Sequence, residues 1–284
     1  GPAGEPFPRG KPLNESNEQF YHDHSYMYNP VPFLPHAAGI AIGGVIDDRP
    51  VALGWAGRIG GLIFYLIVIF IAIRVTPVFK SVFFLLGLMP MMLYQGTAIS
   101  HDMMSNSMTI LFIALVLRYT FGDIKKLEWR DYLILAVVLI VHRFAKDGYY
   151  LIPFLLFIIP PKKFGELKQA IPIMAGIFIF CLLLYKLPDM AWGPFMKQMH
   201  LSEKPKLMTD FKKSLPMAMD EIFADPVGFM GILVNNLSGQ KQEWFGGIVG
   251  RFGYSYSIMP NWFALFYGLL LIFAAFFDSK RQYS

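Results

Sequence analysis

Four polar residues stand together at the start of a long apolar stretch, and they are the first candidates for chemistry. Ser100, His101 and Asp102 lie where the stretch begins, and Asn106 follows one helical turn later, so that Asp102 and Asn106 share one face of a helix. One interpretation is structural, because Ser100 or Asp102 can cap that helix. The other is a polar pocket lined by a carboxylate and an imidazole, in which Asp102 is a catalytic base or a ligand of a divalent cation such as Mg or Mn.

A second polar group is the segment HRFAKDGYY, which contains Arg143, Lys146, Asp147 and Tyr149. Its cations suit a phosphate or pyrophosphate, which they can hold by charge-assisted hydrogen bonds. The alternative is an ordinary interfacial turn with a lysine that reaches to water and a tyrosine at the membrane boundary. The apolar stretches on both sides are short, and short spans leave a depression in the outer surface. This favours the phosphate site.

The third candidate is Asp23, in the segment YHDHSYMYNP. His22 and His24 flank it and point to the same side of an extended segment, where they could share a metal ion. Two histidines are too few for a zinc site, and no strong third ligand is evident. We therefore expect Asp23 to be a catalytic base or a ligand of a hard cation, and the identity of any metal is left open.

The composition indicates the class of protein that must position these residues. Hydrophobic residues make up 55% of the 284, charged residues 16%, and the mean hydropathy is +0.45, whereas about a quarter of a soluble chain is charged. The net charge of +5 does not indicate nucleic-acid binding, because the basic residues lie next to apolar stretches rather than on one polar face. The sequence therefore predicts an all-α, polytopic bundle of transmembrane helices.

The number of spans depends on the stretch 131–160. It can be one long helix, which would put four charged or titratable residues in mid-bilayer at high cost, or two short helices that meet at HRFAKDGYY. With two, the basic residues beside short loops all fall on one side, as expected for the cytoplasm. We therefore predict about seven spans. Five others have the roughly 20-residue apolar length that a bilayer core of about 30 Å requires: 56–75, 82–98, 104–119, 171–187 and 262–277.

These spans divide the chain into four regions. Two regions outside the cytoplasm each contain an apolar helix too short to span, at 32–46 (interfacial or re-entrant) and at 224–237 (on the membrane surface). A further helix is expected upstream, because nothing visible would carry the polar start of the chain across a membrane. The regions are an extracytoplasmic N-terminal segment (1–55), a transmembrane bundle (56–187), an extracytoplasmic loop (188–258), and a last transmembrane helix with a cytoplasmic tail (259–284).

Five segments follow one another in a recognisable order: YNPVPFLPHAAGIAIG (28–43), GWAGRIGGLIFYLIVIFIAIRVTP (54–77), LMPMMLYQGTAISHDMMSNSM (88–108), RFAKDGYY (143–150) and WFGGIVGRFGYSYSIMPNWF (244–263). This order resembles a family of uncharacterised bacterial multi-pass membrane proteins, a domain of unknown function that is grouped with the GT-C glycosyltransferases. The similarity covers roughly 28–277. The family pattern is matched at Ser100 and Asp102 and again at Lys146 and Tyr149, with Ala145 in place of the usual serine.

The resemblance implies a GT-C-like fold that transfers a sugar from a polyprenyl-phosphate-linked donor to an envelope acceptor. The reaction would take place on the outer face of a bacterial inner membrane. Asp102 or Asp23 would be the catalytic acid-base residue. The donor phosphate would be bound by Arg143, Lys146 and Tyr149, in a pocket with His101, Asn106 and Ser100. The acidic motif that the family carries after an earlier helix is not found here, and Glu15, Glu18 and Asp23 are the nearby acidic residues.

Two other functions remain open. Without the acidic motif, the chain could be a non-catalytic integral subunit or scaffold of a larger membrane complex, with other membrane subunits as partners. It could also be a transporter or flippase of a lipid-linked substrate. The sequence speaks against a transporter, because it has neither ionisable residues in mid-span nor an internal repeat. In all three cases membrane lipid is a partner and nucleic acid is not.

Overall fold

The structure is a computed structural model that describes residues 29–146, 149, 151–198, 219–220, 222–239, 247–252 and 257–281. Its described part is helical apart from two short strands, β1 (Arg251–Phe252) and β2 (Ser257–Ile258), which pair antiparallel. The predicted helical architecture is thereby confirmed. The α-helices are α1 (Leu34–Gly44), α2 (Pro50–Val75), α3 (Lys80–Gly87), α4 (Pro90–Thr97), α5 (Asp102–Phe121), α6 (Trp129–Ala145), α7 (Leu167–Gln198), α8 (Pro226–Gly239) and α9 (Asn261–Arg281).

Three of the described helices are long and apolar enough to cross a bilayer. They are α2, α5 and the Asn261–Asp278 part of α9, and they contain the predicted spans 56–75, 104–119 and 262–277. The predicted span 171–187 lies within α7. The apolar stretch of α7, Lys168–Leu184, is shorter than the three helices that are long enough to cross a bilayer. α7 also continues to Gln198, beyond the predicted end of the span.

The prediction of one continuous helix over 82–98 is wrong. α3 ends at Gly87 and α4 begins at Pro90. A proline inside a helix lacks the N–H for the ladder, and its ring clashes with the carbonyl four residues earlier, so Pro90 instead takes the first turn of a new helix. The buried Tyr65 hydroxyl donates a hydrogen bond of 2.7 Å to the Gly87 carbonyl, which satisfies one of the acceptors that the end of α3 leaves open.

Residues 151–164, which we call the return segment, lead back along α6. The segment consists of two 3₁₀ helices, Ile152–Ile158 and Pro161–Phe164. The Leu127 N–H, just before α6, donates to the Lys163 carbonyl at 2.9 Å. The ring of Phe164 stacks on Tyr132 in the first turn of α6, with 6.4 Å between the ring centroids.

The chain therefore turns after α6 and returns to the level at which α6 begins, and two membrane spans within 131–160 stay a prediction. The return segment is not the α-helix that was expected. Prolines at 153, 160 and 161 remove N–H donors at short intervals, so the segment forms 3₁₀ turns, which tolerate short runs better. α7 then starts again beside the beginning of α6, and the main buried cluster lies among α5, α6, the return segment and α7.

α1 packs closely along the first half of α2, at the position of the predicted helix 32–46. A Cβ atom on Gly60 would lie 2.5 Å from the Pro35 carbonyl oxygen, and one on Gly39 would overlap the Ala56 carbonyl. Only glycine permits this approach. The buried ring of His36 donates from Nδ1 to the Gly57 carbonyl, with 3.0 Å between the atoms, and so joins the two helices at the same level.

Candidate functional site

Asp102 and Lys146 meet at one end of the bundle, where α5 begins and α6 has just ended. The Nζ atom of Lys146 donates to Oδ1 of Asp102 at 2.5 Å. The Asp102 side chain retains 29% of its exposure and the Lys146 side chain retains 33%. The structure thus brings together two residues that stand in separate polar groups of the sequence and that the family resemblance implies share one site. An ion pair that is partly withdrawn from water, and still open to it, can meet an incoming polar ligand.

His101 stands next to this pair. Its Nε2 atom lies 3.6 Å from Asp102 Oδ1. Burial lowers the pKa of His101; the nearby Lys146 charge lowers it further, and Asp102 opposes both effects. The residue at the cap position of α5 is His101, without a side-chain capping bond among the described residues. The structural interpretation in which Ser100 or Asp102 occupies that position is therefore wrong.

The other two predicted pocket residues are engaged with α4 and its loop. The Asn106 side-chain amide donates to Gln95 Oε1 at 2.5 Å and so joins α5 to α4. The Ser100 N–H donates to the Ala98 carbonyl at 2.8 Å, within the turn that leads into α5. Gln95 was not predicted as part of this group, and its position in the polar turn QGTAISHD was the available signal.

Arg143 and Tyr149, predicted to bind phosphate with Lys146, lie around it. The Arg143 Nε atom donates to the Leu184 carbonyl of α7 at 3.1 Å. Lys146 Nζ lies 5.9 Å from the centre of the Tyr149 ring, within the range of a cation–π contact. Tyr149 also meets the ring of His142 edge-on, at 5.6 Å between centroids. Arg143, Lys146 and Tyr149 therefore form one cluster between α6, α7 and the return segment.

A cavity of about 140 Å³ opens beside this cluster. A second cavity, of about 350 Å³ and almost entirely apolar, follows it along the same three elements. Leu139 lines both. On α6 and at the residue that follows it, the lining residues recur at the spacing of one helix face: Tyr132, Leu135, Ala136, Leu139, His142, Arg143 and Lys146.

We call these two cavities together the α6–α7 groove. From Tyr132 to Arg143 the groove follows α6 for about 16 Å, at 1.5 Å per residue. Its walls are aliphatic and aromatic, with Leu156 of the return segment on one side and Ile177 of α7 on the other. The groove was not predicted from the sequence, although the recurrence of one helix face in 132–146 was the signal that could have found it.

The described residues do not fit the divalent cation considered from the sequence. Among them, no three His, Cys, Asp or Glu side chains lie close enough together to hold a metal ion. Asp102 has a lysine, rather than a second carboxylate, as its partner. Asp23 and Asp147 lie outside the described residues.

A family model described as "Predicted membrane protein (DUF2142)" matches residues 7–283. The match includes the helices of the α6–α7 groove and every candidate site residue. No curated protein and no solved structure matches the chain.

Proposed function

We propose a reaction for this chain, which belongs to the DUF2142 family of predicted membrane proteins: the transfer of a sugar from a polyprenyl-phosphate-linked donor to an envelope acceptor. In this proposal the chain has a GT-C-like arrangement of about seven spans in a bacterial inner membrane, and the Asp102–Lys146 end faces outward. The observation that carries the proposal is the α6–α7 groove, because its apolar cavity adjoins, at Leu139, a smaller cavity lined by Arg143 and Lys146, and Lys146 is bonded to the Asp102 carboxylate.

A polyprenyl-phosphate donor combines the two chemistries that the groove offers. Its isoprenoid chain is apolar and flexible, and it would lie between α6 and α7 along Leu139 and Leu156. Its phosphate is anionic and would reach the end of the groove, where Arg143 and Lys146 can bind it by charge-assisted hydrogen bonds. The sugar would then project past Lys146 toward Asp102.

In the reaction, an acceptor hydroxyl oxygen attacks the anomeric carbon of the donor sugar. A new carbon–oxygen bond forms while the bond from that carbon to the phosphate oxygen breaks, and the electron pair stays with the lipid phosphate. Arg143 and Lys146 stabilise the charge that develops on the phosphate. The acceptor proton passes to Asp102 as the general base.

The bond between Lys146 and Asp102 is compatible with this scheme. A lysine ammonium carries three N–H donors, so Lys146 can bind the phosphate while it still donates to Asp102. The Lys146 side chain would then hold both the phosphate of the sugar donor and the Asp102 carboxylate that acts as the base. This arrangement fixes the distance between the leaving group and the carboxylate that must accept a proton, and such positioning is a large part of catalysis.

The proposal is tested with the purified protein in liposomes that contain labelled polyprenyl-phosphate-linked sugars, hexoses and pentoses in turn, together with envelope glycan that supplies the acceptor hydroxyls. The measured quantity is the release of polyprenyl phosphate. Asp102→Asn and Lys146→Ala should each lower the rate at least about 100-fold, the usual contribution of a positioned acid-base group. Asp48→Asn, a change at an exposed carboxylate in the turn between α1 and α2, should leave the rate within about twofold. Full activity in both site variants would rule out the site.

One observation favours a second function, a non-catalytic subunit of a membrane complex. Apolar side chains at the end of α1 and in the turn that follows it are strongly exposed, among them Ile42, Val45 and Ile46. A partner subunit packed on this surface would bury them. In that case, the wild-type chain would release no polyprenyl phosphate from any donor, and it would be isolated from its native membrane in a stable complex.

A further inference from the structure

A second polar cavity lies at the opposite end of α5 from Asp102. It measures about 720 Å³ and lies between the end of α5 and the end of the return segment. Three lysines line it, Lys125, Lys162 and Lys163, with a single carboxylate, that of Asp123. Its electrostatic character is therefore cationic. None of these residues belongs to the α6–α7 groove.

Lys163 gives the cavity its shape. Its Nζ atom donates to the Gly122 carbonyl at 3.0 Å and to the Ile124 carbonyl, just past the last turn of α5. A cation is favourable at this position, since the carbonyls at a helix C-terminus carry partial negative charge. The loop after α5 is thereby fixed against the return segment, and the two exposed lysines, Lys125 and Lys162, are carried on a fixed backbone.

Apolar surface adjoins the lysines. Phe121 forms part of the cavity wall and is 55% exposed, and Ile158 of the return segment, two residues before the lining residue Pro160, is 54% exposed. Trp129, at the start of α6, is also exposed. Tryptophan and basic residues together are typical of the boundary between a bilayer and water. The cavity thus offers cations for an anion and apolar side chains for something attached to that anion.

We propose that this cavity binds the phosphodiester head group of an anionic phospholipid, with the acyl chains against Phe121 and Ile158. Basic pockets between helices at a membrane surface are suited to such lipids. A free phosphate would use the lysines but leave the apolar walls without a partner. The proposal is independent of the sugar-transfer reaction, because it uses other residues at the other end of the bundle.

The test is native mass spectrometry of the purified full chain in mild detergent. Phosphatidylglycerol and phosphatidylcholine with identical acyl chains are added in equal amounts. The wild type should retain more phosphatidylglycerol, and the double variant Lys125→Gln/Lys162→Gln should lose about tenfold or more of this preference, since each basic residue near a membrane surface contributes measurably to anionic lipid binding. The single variants Lys125→Gln and Lys162→Gln should give intermediate losses of the preference. They provide the comparison with the wild type if the double variant folds poorly.

Arg130→Gln is the matched control. Arg130 is an exposed cation on the first turn of α6, where it lies over the Trp129 ring at 5.6 Å, but it does not line the cavity. This change should alter the preference by less than about twofold. Equal retention of both lipids by the wild type, or an unchanged preference in the double variant, would overturn the proposal. Binding of glycerol phosphate as tight as that of phosphatidylglycerol would also overturn it, since the cavity would then bind a soluble anion.

Discussion

At the scale of single residues, the bond between Lys146 and Asp102 determines the chemistry available at the end of the bundle where α5 begins. Each charge is partly withdrawn from water, and each would be costly to leave alone there. Because the pair keeps about a third of its exposure, the lysine can still meet a ligand. A fully buried pair would stabilise one arrangement only, and a fully exposed pair would be screened by water and salt.

His101 makes this end of the bundle sensitive to acid. Burial holds its pKa below the ordinary value of 6.5, so the unfolded chain binds a proton at this position more readily than the folded chain does. The stability contributed by neutral His101 is therefore complete above about pH 6.5 and is lost as the pH falls through the folded pKa. We expect His101→Gln to lose less thermal stability than the wild type between pH 7.5 and pH 5, measured as the apparent midpoint of unfolding in detergent. Equal losses in the two proteins would contradict this role.

Part of the site follows from the sequence. Asp102 is predicted by its position at the start of an apolar stretch, and Lys146 by its place between two short ones. That the two side chains bond across 44 positions in the chain does not follow from local patterns. It depends on where α6 ends relative to the start of α5, and that is set by tertiary packing.

At the scale of helices, the contact between α1 and α2 depends on glycines that allow two backbones to touch. Such close approach is a common means of helix association in membranes. We expect Gly60→Leu to separate the helices, because its Cβ would already lie 2.5 Å from the Pro35 carbonyl oxygen. The variant should unfold at a temperature lower by several degrees, as measured by a thermal shift assay in detergent.

Gly54→Ala is the control for that experiment. It lies on the same helix, and a Cβ there would meet no other atom within 4 Å. Alanine also favours a helix over glycine by about 1 kcal/mol, so this variant should be as stable as the wild type or slightly more stable. An equal loss in both variants would mean that the glycines matter for another reason than close packing.

Hydropathy explains why one helix was predicted over 82–98 where two are present. The stretch is apolar throughout, and a measure averaged over about 20 residues does not register a single proline. Pro90 was a visible signal of the break. The return segment is a similar case: its apolar character predicts a second pass along α6, and its prolines determine that the pass is made of 3₁₀ turns.

At the scale of the whole molecule, the bundle has two chemically distinct ends joined by an apolar middle. Asp102, Arg143 and Lys146 lie at one end of α5 and α6. Lys125, Lys162 and Lys163 of the cationic cavity lie at the other end, where Lys126 also donates to Gln169 of α7 at 3.2 Å. The α6–α7 groove runs between these ends. Its Lys146 end brings Arg143 and Lys146 beside the Asp102 carboxylate, and the proposed transfer therefore belongs there.

The most direct test of this account is a density map of the protein in lipid nanodiscs with added polyprenyl phosphate. We expect the phosphate within about 3 Å of Lys146 Nζ, the length of a charge-assisted hydrogen bond, close to Arg143. The isoprenoid chain should follow the α6–α7 groove past Leu139. A groove closed by its own side chains, with the lipid phosphate bound elsewhere, would contradict the proposed donor site and favour a subunit without catalytic function.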